Sequence, residues 1–150
     1  MRFKIILAGL AGLALTLGAA GLAHGADDVI AQRQALMKDN AGAAKTIFQM
    51  VQGKTPYDAA AAKAAFEKIA ADIKTFPTLF PEGSDQGKTT ASPAIWQDKA
   101  GFEALAAKMG AAATAGAAAA SGGLDAIKAS AGEVGASCQS CHEKFRIKKS

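Results

Sequence analysis

The chain has 150 residues, of which half are hydrophobic and 20% are charged, and its formal net charge is +4 at pH 7. This length suits one domain, and no basic stripe with interleaved aromatic residues points to nucleic-acid binding. With two cysteines and two histidines in all, any metal or redox chemistry must rest on very few side chains.

The first 25 residues are typical of a secretory signal peptide. Arg2 and Lys4 form a short positive region, residues 5–22 form an uncharged apolar run, and small residues flank a predicted cut before Ala26. A retained membrane anchor is the alternative interpretation. Cleavage would leave residues 26–150 as a slightly basic exported domain without a membrane anchor, and in a Gram-negative cell its location would be the periplasm.

The remaining chain contains four segments with helical periodicity. In the first, side chains recur at steps of three and four, as in an amphipathic helix. Its predicted inner stripe is Ile30, Gln34, Met37, Ala41, Ala44, Phe48 and Val51. Asp58 is expected to cap the second helix, and Pro77 predicts an end near Phe76. The second stripe is Ala62, Phe66, Ile69, Ile73, Phe76 and Phe80.

A loop rich in Gly, Ser and Thr, residues 82–91, precedes Ser92-Pro93, which is a typical helix start. The third stripe is Ile95, Phe102, Leu105, Met109, Ala112 and Gly116, and Gly122-Gly123 ends this helix. The fourth stripe is Leu124, Ile127, Ala131, Val134, Cys138, Cys141 and Phe145. Four helices with short connections predict an all-α, antiparallel up-down-up-down four-helix bundle.

The stretch Cys138-Gln139-Ser140-Cys141-His142 has the pattern by which proteins attach a c-type haem. On a helix, residues three and four apart share a face, so both thiols can bond the porphyrin vinyl groups while His142 binds the iron. A structural zinc site needs four protein ligands, and a dithiol redox centre follows a strand, so both fit less well. The pattern predicts one covalent haem c, with a haem-free dithiol protein as the remote alternative.

Bundle geometry indicates which residues lie near this haem. The end of the fourth helix should lie beside the start of the first, the end of the second and the start of the third. The pocket is therefore expected to be lined from residues 30–37, 76–80 and 95–96. Within these segments Phe80 and Trp96 are the aromatic side chains expected to touch the porphyrin.

A second axial ligand would have to be a methionine, because His24 leaves with the signal peptide and His142 is then the only histidine. At about 1.5 Å per residue, Met37 lies at the level of the haem, Met50 at the opposite end and Met109 near the middle of its helix. Ligation by Met37 would give low-spin iron with a raised reduction potential. As a core residue, Met37 would leave a pocket open to small gases.

The chain resembles the class II cytochromes c, the family of cytochrome c′. The resemblance spans the mature chain and rests on Arg-Gln-Ala-Leu-Met-Lys-Asp-Asn at 33–40, Pro-Tyr-Asp at 56–58, Ser-Pro-Ala-Ile-Trp at 92–96, and residues 135–146. It implies a four-helix bundle with haem near the C-terminus and places Met37 at the ligand position of the low-spin branch. It further implies that Arg33 contacts a haem propionate and that Arg146 lies beside His142.

These observations favour a periplasmic electron carrier with a low-spin haem. The alternative is a five-coordinate cytochrome c′ that binds nitric oxide or carbon monoxide. No enzyme is expected, because no base, nucleophile or substrate pocket is evident. The basic residues after the haem motif are suited to attract an acidic redox partner protein. Alanine-rich outer faces suit a monomer or a homodimer.

Overall fold

The computed structural model describes residues 20–147, which form five helices and no strand. They are α1 Ala20–Val51, α2 Ala59–Thr75, α3 Ala94–Gln97, α4 Lys99–Ala119 and α5 Leu124–Phe145. Short 3₁₀ turns follow α2 at Phe76–Leu79 and α4 at Ala120–Gly122. The four long helices pack as a four-helix bundle, as the periodicity predicted. Along its length α5 packs closely on α4 and touches α1 over fewer residues.

The predicted signal peptide falls largely outside the described residues. Residues 1–19 are not among them, and the expected cut before Ala26 lies within the range of α1. Signal cleavage therefore stays a prediction. Between residues 20 and 147, no helix combines the length and the apolar character needed to cross a bilayer.

The buried face of α1 differs from the predicted stripe. Gln34 and Ala41, both placed on that stripe, are exposed. Among the residues of α1 from 28 onwards, the buried ones are Ile30, Arg33, Asn40, Ile47 and Met50. A pattern of apolar residues cannot detect Arg33 or Asn40, because both are polar and are buried through hydrogen bonds to carbonyl oxygens. The inner face of α1 is therefore more polar than predicted near its N-terminal half.

The second helix follows its prediction closely. The carboxylate of Asp58 accepts a hydrogen bond from the Ala61 N–H at 3.0 Å, which satisfies one of the free donors of the first turn. All six residues of the predicted stripe are buried. The α-helix gives way to a 3₁₀ turn at Phe76, where Pro77 lacks the N–H that would continue it.

The third predicted helix is divided in two. Ser92 does start it, since its hydroxyl accepts the Ala94 N–H at 3.2 Å. The helix breaks at Asp98, which has extended φ and caps α4 by accepting the Gly101 N–H at 3.0 Å. An aspartate that bonds the backbone locally competes with continuation of a helix. Because of this break, Trp96 lies on a separate short helix, α3, and the long helix α4 begins after it.

Close contact between α2 and α4 depends on a residue without a side chain. A Cβ atom at Gly116 of α4 would lie 2.5–2.6 Å from ring carbons of Phe66, which is fully buried on α2. Such a contact is far shorter than packed atoms allow. The two helices can therefore approach at this level only because position 116 is glycine.

We expect Gly116→Ala to destabilise the bundle by about 1–3 kcal/mol, because the Phe66 ring would have to leave its position. The matched control is Gly132→Ala on α5, where a Cβ would meet nothing within 4 Å. That change should stabilise by about 0.5–1 kcal/mol, since alanine favours a helix interior. Urea unfolding of both variants measures the difference, and equal effects would contradict the packing described.

Candidate haem-binding site

The thiols of Cys138 and Cys141 lie on the inner stripe of α5, near its C-terminal end. Both are free and half-buried, and they pack against the hydrophobic core. Burial raises the pKa of each thiol, and the charge of Cys138 adds to the rise at Cys141. The helix therefore presents two protonated thiols on one side, one turn apart.

His142 follows directly and is the most exposed of the three motif residues. Partial burial lowers the pKa of its imidazole, and the positive charge of Arg146 lowers it further. The ring is therefore neutral at pH 7, and a neutral imidazole has the lone pair that binds a metal. Arg146 follows His142 by four residues, and its charge acts on the imidazole. Its place beside the haem stays a prediction.

Met109 lies closer to the thiols than its position in the sequence suggested. Its Sδ atom is 4.0 Å from Sγ of Cys138, and the residue is 6% exposed on α4. Met109 lies near the middle of α4, as predicted, and it contacts the first cysteine of the motif because α4 and α5 pack side by side. Met37 is half-buried on α1 and packs against the same core.

The guanidinium of Arg33 is buried at the same end of the bundle. Its Nε donates to the Leu79 carbonyl at 2.6 Å, Nη1 donates to the Ser84 carbonyl at 2.8 Å, and Nη2 donates to the Ser84 hydroxyl. Its central carbon lies 4.1 Å from the centroid of the Phe80 ring and 5.7 Å from that of Trp96. All of these partners are neutral.

No carboxylate pairs with Arg33 in the part of the chain that the structure describes, although its side chain is only 4% exposed. Burial lowers the pKa of this guanidinium, which still remains charged at neutral pH. A buried cation that lacks an opposite charge is costly, typically by several kcal/mol. The site therefore favours an anionic group next to Arg33.

Aromatic rings connect this arginine to the end of α5. Phe80 packs edge-on against Trp96 and Phe102, with ring centroids 5.8 Å and 4.8 Å apart. Phe102 packs in the same way against Phe145, with centroids 5.3 Å apart. The Trp96 indole N–H donates to the Pro81 carbonyl at 3.1 Å. The structure thus brings together the segments predicted to line the pocket: the start of α1, the end of α2 and α3.

The loop between α2 and α3 fastens α1 to the C-terminal end of α5. The Gln34 amide donates to the Lys88 carbonyl at 2.8 Å, and the Ile147 N–H donates to the Thr90 carbonyl at 2.8 Å. Ser84 in this loop is 1% exposed because Arg33 holds it. Sequence analysis missed Ser84, since nothing local distinguishes it from the other polar residues of a loop.

These residues match the parts of a haem. Two thiols one turn apart suit the two vinyl groups, a neutral imidazole suits the iron, aromatic rings suit the porphyrin plane, and an uncompensated arginine suits a propionate. The motif residues are therefore arranged as haem attachment requires.

Comparison with known proteins decides the family. The family model described as Cytochrome C' matches residues 28–146. A cytochrome c' from Rhodopseudomonas palustris is 44% identical over 151 residues, covering 98% of this chain and 99% of that protein. The chain belongs to the cytochrome c′ family. The cofactor of this family is covalently attached haem c, so the chain is a haem protein.

Solved structures of the family agree with the fold. The structure of cytochrome c' from Rhodopseudomonas palustris has a TM-score of 0.77 at 44% identity, covering 82% of this chain and 98% of that one. A nitric oxide complex of a cytochrome c prime variant from Alcaligenes xylosoxidans has a TM-score of 0.75 at 34% identity, covering 83% and 97%. Relatives also include a cytochrome c-556 from Agrobacterium tumefaciens, 37% identical over 80% of this chain and 98% of that protein.

An ion pair joins the end of α5 to the start of α4 beside this site. Lys144 Nζ lies 2.6 Å from the Asp98 carboxylate, which also caps α4. The pKa of Asp98 is lowered below its usual value of 3.8. The larger cause is the hydrogen bond from Lys144, and the next is the hydrogen bond from the Gly101 N–H. A depressed folded-state pKa means that this stabilisation is present at neutral pH and is lost as the pH falls through that pKa.

We therefore expect Asp98→Asn to lose less stability than the wild type between about pH 5 and pH 2, because asparagine still caps the helix but does not titrate. Lys144→Gln, which removes the partner and keeps the carboxylate, should reduce the acid-induced loss as well. Urea unfolding at a series of pH values measures both. Parallel profiles for the wild type and Asp98→Asn would show that the pair does not contribute.

Proposed function

We propose that this protein is an exported, five-coordinate cytochrome c′ that binds nitric oxide or carbon monoxide at its haem iron. The observation that carries this proposal is the 44% identity to a cytochrome c' over nearly the whole chain, with the haem motif on the inner stripe of α5. The haem supplies an iron that changes oxidation state by one electron and has one position free for a diatomic gas.

The chain's own residues have separate tasks in this proposal. Cys138 and Cys141 fix the porphyrin through thioether bonds, and His142 binds the iron with its neutral imidazole. Partial burial and then the charge of Arg146 lower the pKa of His142, which favours the neutral ring. Arg33 offers its buried charge to a propionate, and its guanidinium packs against the rings of Phe80 and Trp96.

The second candidate is a low-spin electron carrier in which Met37 binds the iron opposite His142. Two observations favour it: Met37 is half-buried against the core near the haem end of α1, and relatives include proteins named cytochrome c-556. A thioether ligand would close the free position and raise the reduction potential. The protein would then pass electrons to partner proteins and would bind gases weakly.

In both cases the site of action is the periplasm. Residues 1–25 have the composition of an export signal, and haem attachment consumes two thiols that would otherwise oxidise outside the cytoplasm. Arg146, whose charge acts on His142, is exposed and suited to meet an acidic redox partner. The protein would act as a monomer or a homodimer.

Spin state tests the proposal. For a five-coordinate haem we expect ferric absorption and electron paramagnetic resonance spectra of a high-spin iron, with Met37→Leu unchanged. Leucine keeps the volume and apolar character of methionine and removes only the sulfur. Carbon monoxide should bind both reduced proteins. A low-spin wild type that becomes high-spin in Met37→Leu would overturn this proposal and establish the second candidate.

Two further variants keep that result specific. Met50→Leu changes a buried methionine of α1 that is 13 residues further along, about 20 Å from Met37, and should leave the spectra unchanged. Met109→Leu tests the sulfur that lies 4.0 Å from Cys138. A low-spin wild type that loses its spectrum only in Met109→Leu would contradict both candidates as stated, because the second ligand would then come from α4.

A further inference from the structure

Asn40 is a buried polar residue to which neither candidate function assigns a role. It is 5% exposed, and its amide nitrogen donates to the Leu36 carbonyl at 3.0 Å. Its amide oxygen is buried without a hydrogen-bond partner in the described part of the chain. Rotating the amide would not help, because it would bring two oxygen atoms together at Leu36. The free group is therefore an acceptor.

Asn40 lies on the innermost stripe of α1. Arg33, Asn40 and Ile47 are seven residues apart, all are buried, and seven residues are two helical turns. This stripe faces the centre of the bundle, whereas Met37 and Phe48 are only half-buried beside it. The Asn40 side chain therefore points to the interior rather than to the solvent.

A contact between α1 and α5 fixes the level of Asn40. A Cβ at Gly135 of α5 would lie 3.2 Å from Cζ of Phe48, so these two residues are side by side. Asn40 is eight residues before Phe48, about 12 Å towards the haem end. Because the helices are antiparallel, the same distance along α5 from Gly135 leads to residue 143, next to Cys141 and His142. Asn40 is thus level with the haem motif.

We infer that the Asn40 amide oxygen accepts a hydrogen bond from a water molecule inside the haem pocket and sets the electrostatic potential at the iron. This inference rests on the proposed haem site and holds for either spin state. Water is the fitting donor because the described side chains supply none and a porphyrin bound to iron has no N–H group. Whether or not water is bound, the negative end of the amide dipole faces the interior.

A negative potential at the iron stabilises the ferric state relative to the ferrous state, since the ferric site carries one more positive charge. A buried pocket has a lower dielectric constant than bulk water, so such a dipole acts more strongly there than it would in solvent. Asn40 therefore acts on the iron through the electrostatic field of its amide and not as a ligand. Its effect is to lower the reduction potential of the protein.

Among the described residues, a second buried side-chain oxygen lacks a hydrogen-bond partner, but it does not suit this role. Ser137 on α5 is 3% exposed and its hydroxyl also lacks a partner. A serine hydroxyl rotates freely and can bond the carbonyl four residues earlier in its own helix. The Asn40 oxygen has no such choice, because its amide is already fixed at Leu36.

Redox titration of the exported haem protein tests the inference. We expect Asn40→Leu, which has a similar volume and favours a helix, to shift the reduction potential upwards with an unchanged spin state. Asn40→Ala removes the amide without adding bulk and should shift the potential in the same direction, which covers the case that the leucine variant folds poorly. Met50→Leu is the matched control in the α1 core and should leave the potential unchanged.

An unchanged or lower potential in both Asn40 variants would overturn the inference, since a purely structural amide would alter stability and not the potential. A changed spin state in either variant would also count against it, because Asn40 would then act on iron ligation. Failure of the proposed function is distinguishable: the wild-type spectrum shows the spin state, or the lack of attached haem, before any Asn40 variant is compared.

Discussion

Arg33 places a positive charge inside the protein with only neutral groups around it. Two carbonyls, one hydroxyl and two aromatic rings surround its guanidinium, and the residue is 4% exposed. Hydrogen bonds to neutral acceptors reduce the cost of burying a charge and do not cancel it. A haem would compensate this buried positive charge, because its propionates are negatively charged. Arg33 also holds the Ser84 loop, which connects α1 to the end of α5 through Ile147.

The haem motif lies at the end of the bundle where Arg33 and the Ser84 loop connect the helices. Cys138 and Cys141 lie on the inner stripe of α5, where α5 packs fully on α4 and less extensively on α1. We propose that a porphyrin attached there enters between the helices instead of lying on the surface. Its surroundings then come from three elements: Met37 and Asn40 of α1, Met109 of α4, and the aromatic cluster of Phe80. We propose that the Asn40 amide oxygen shifts the potential, and that a sulfur bound to the iron would change the spin state.

The sequence predicted the bundle well because its signals were local and redundant. Asp58 is a helix cap by residue type, Pro77 ends a helix by its missing N–H, and the motif is defined by spacing alone. The misses were of another kind. In the sequence, nothing distinguishes Asp98 from an ordinary helix residue, and only the structure shows that its carboxylate caps α4. Asn40 and Ser84 are polar residues that tertiary packing buries, and Ser84 is also held by hydrogen bonds from Arg33, which no periodic pattern of apolar residues can reveal.

A crystal structure of the exported, haem-loaded protein tests the central claim most directly. The account predicts one porphyrin bonded to both thiols on the inner side of α5, His142 on the iron, and a propionate oxygen within about 2.7–2.9 Å of the Arg33 guanidinium. It predicts the Ser84 loop in the position described. A porphyrin on the outer surface of the bundle, or an Arg33 that keeps only its neutral partners while the propionates face solvent elsewhere, would contradict it.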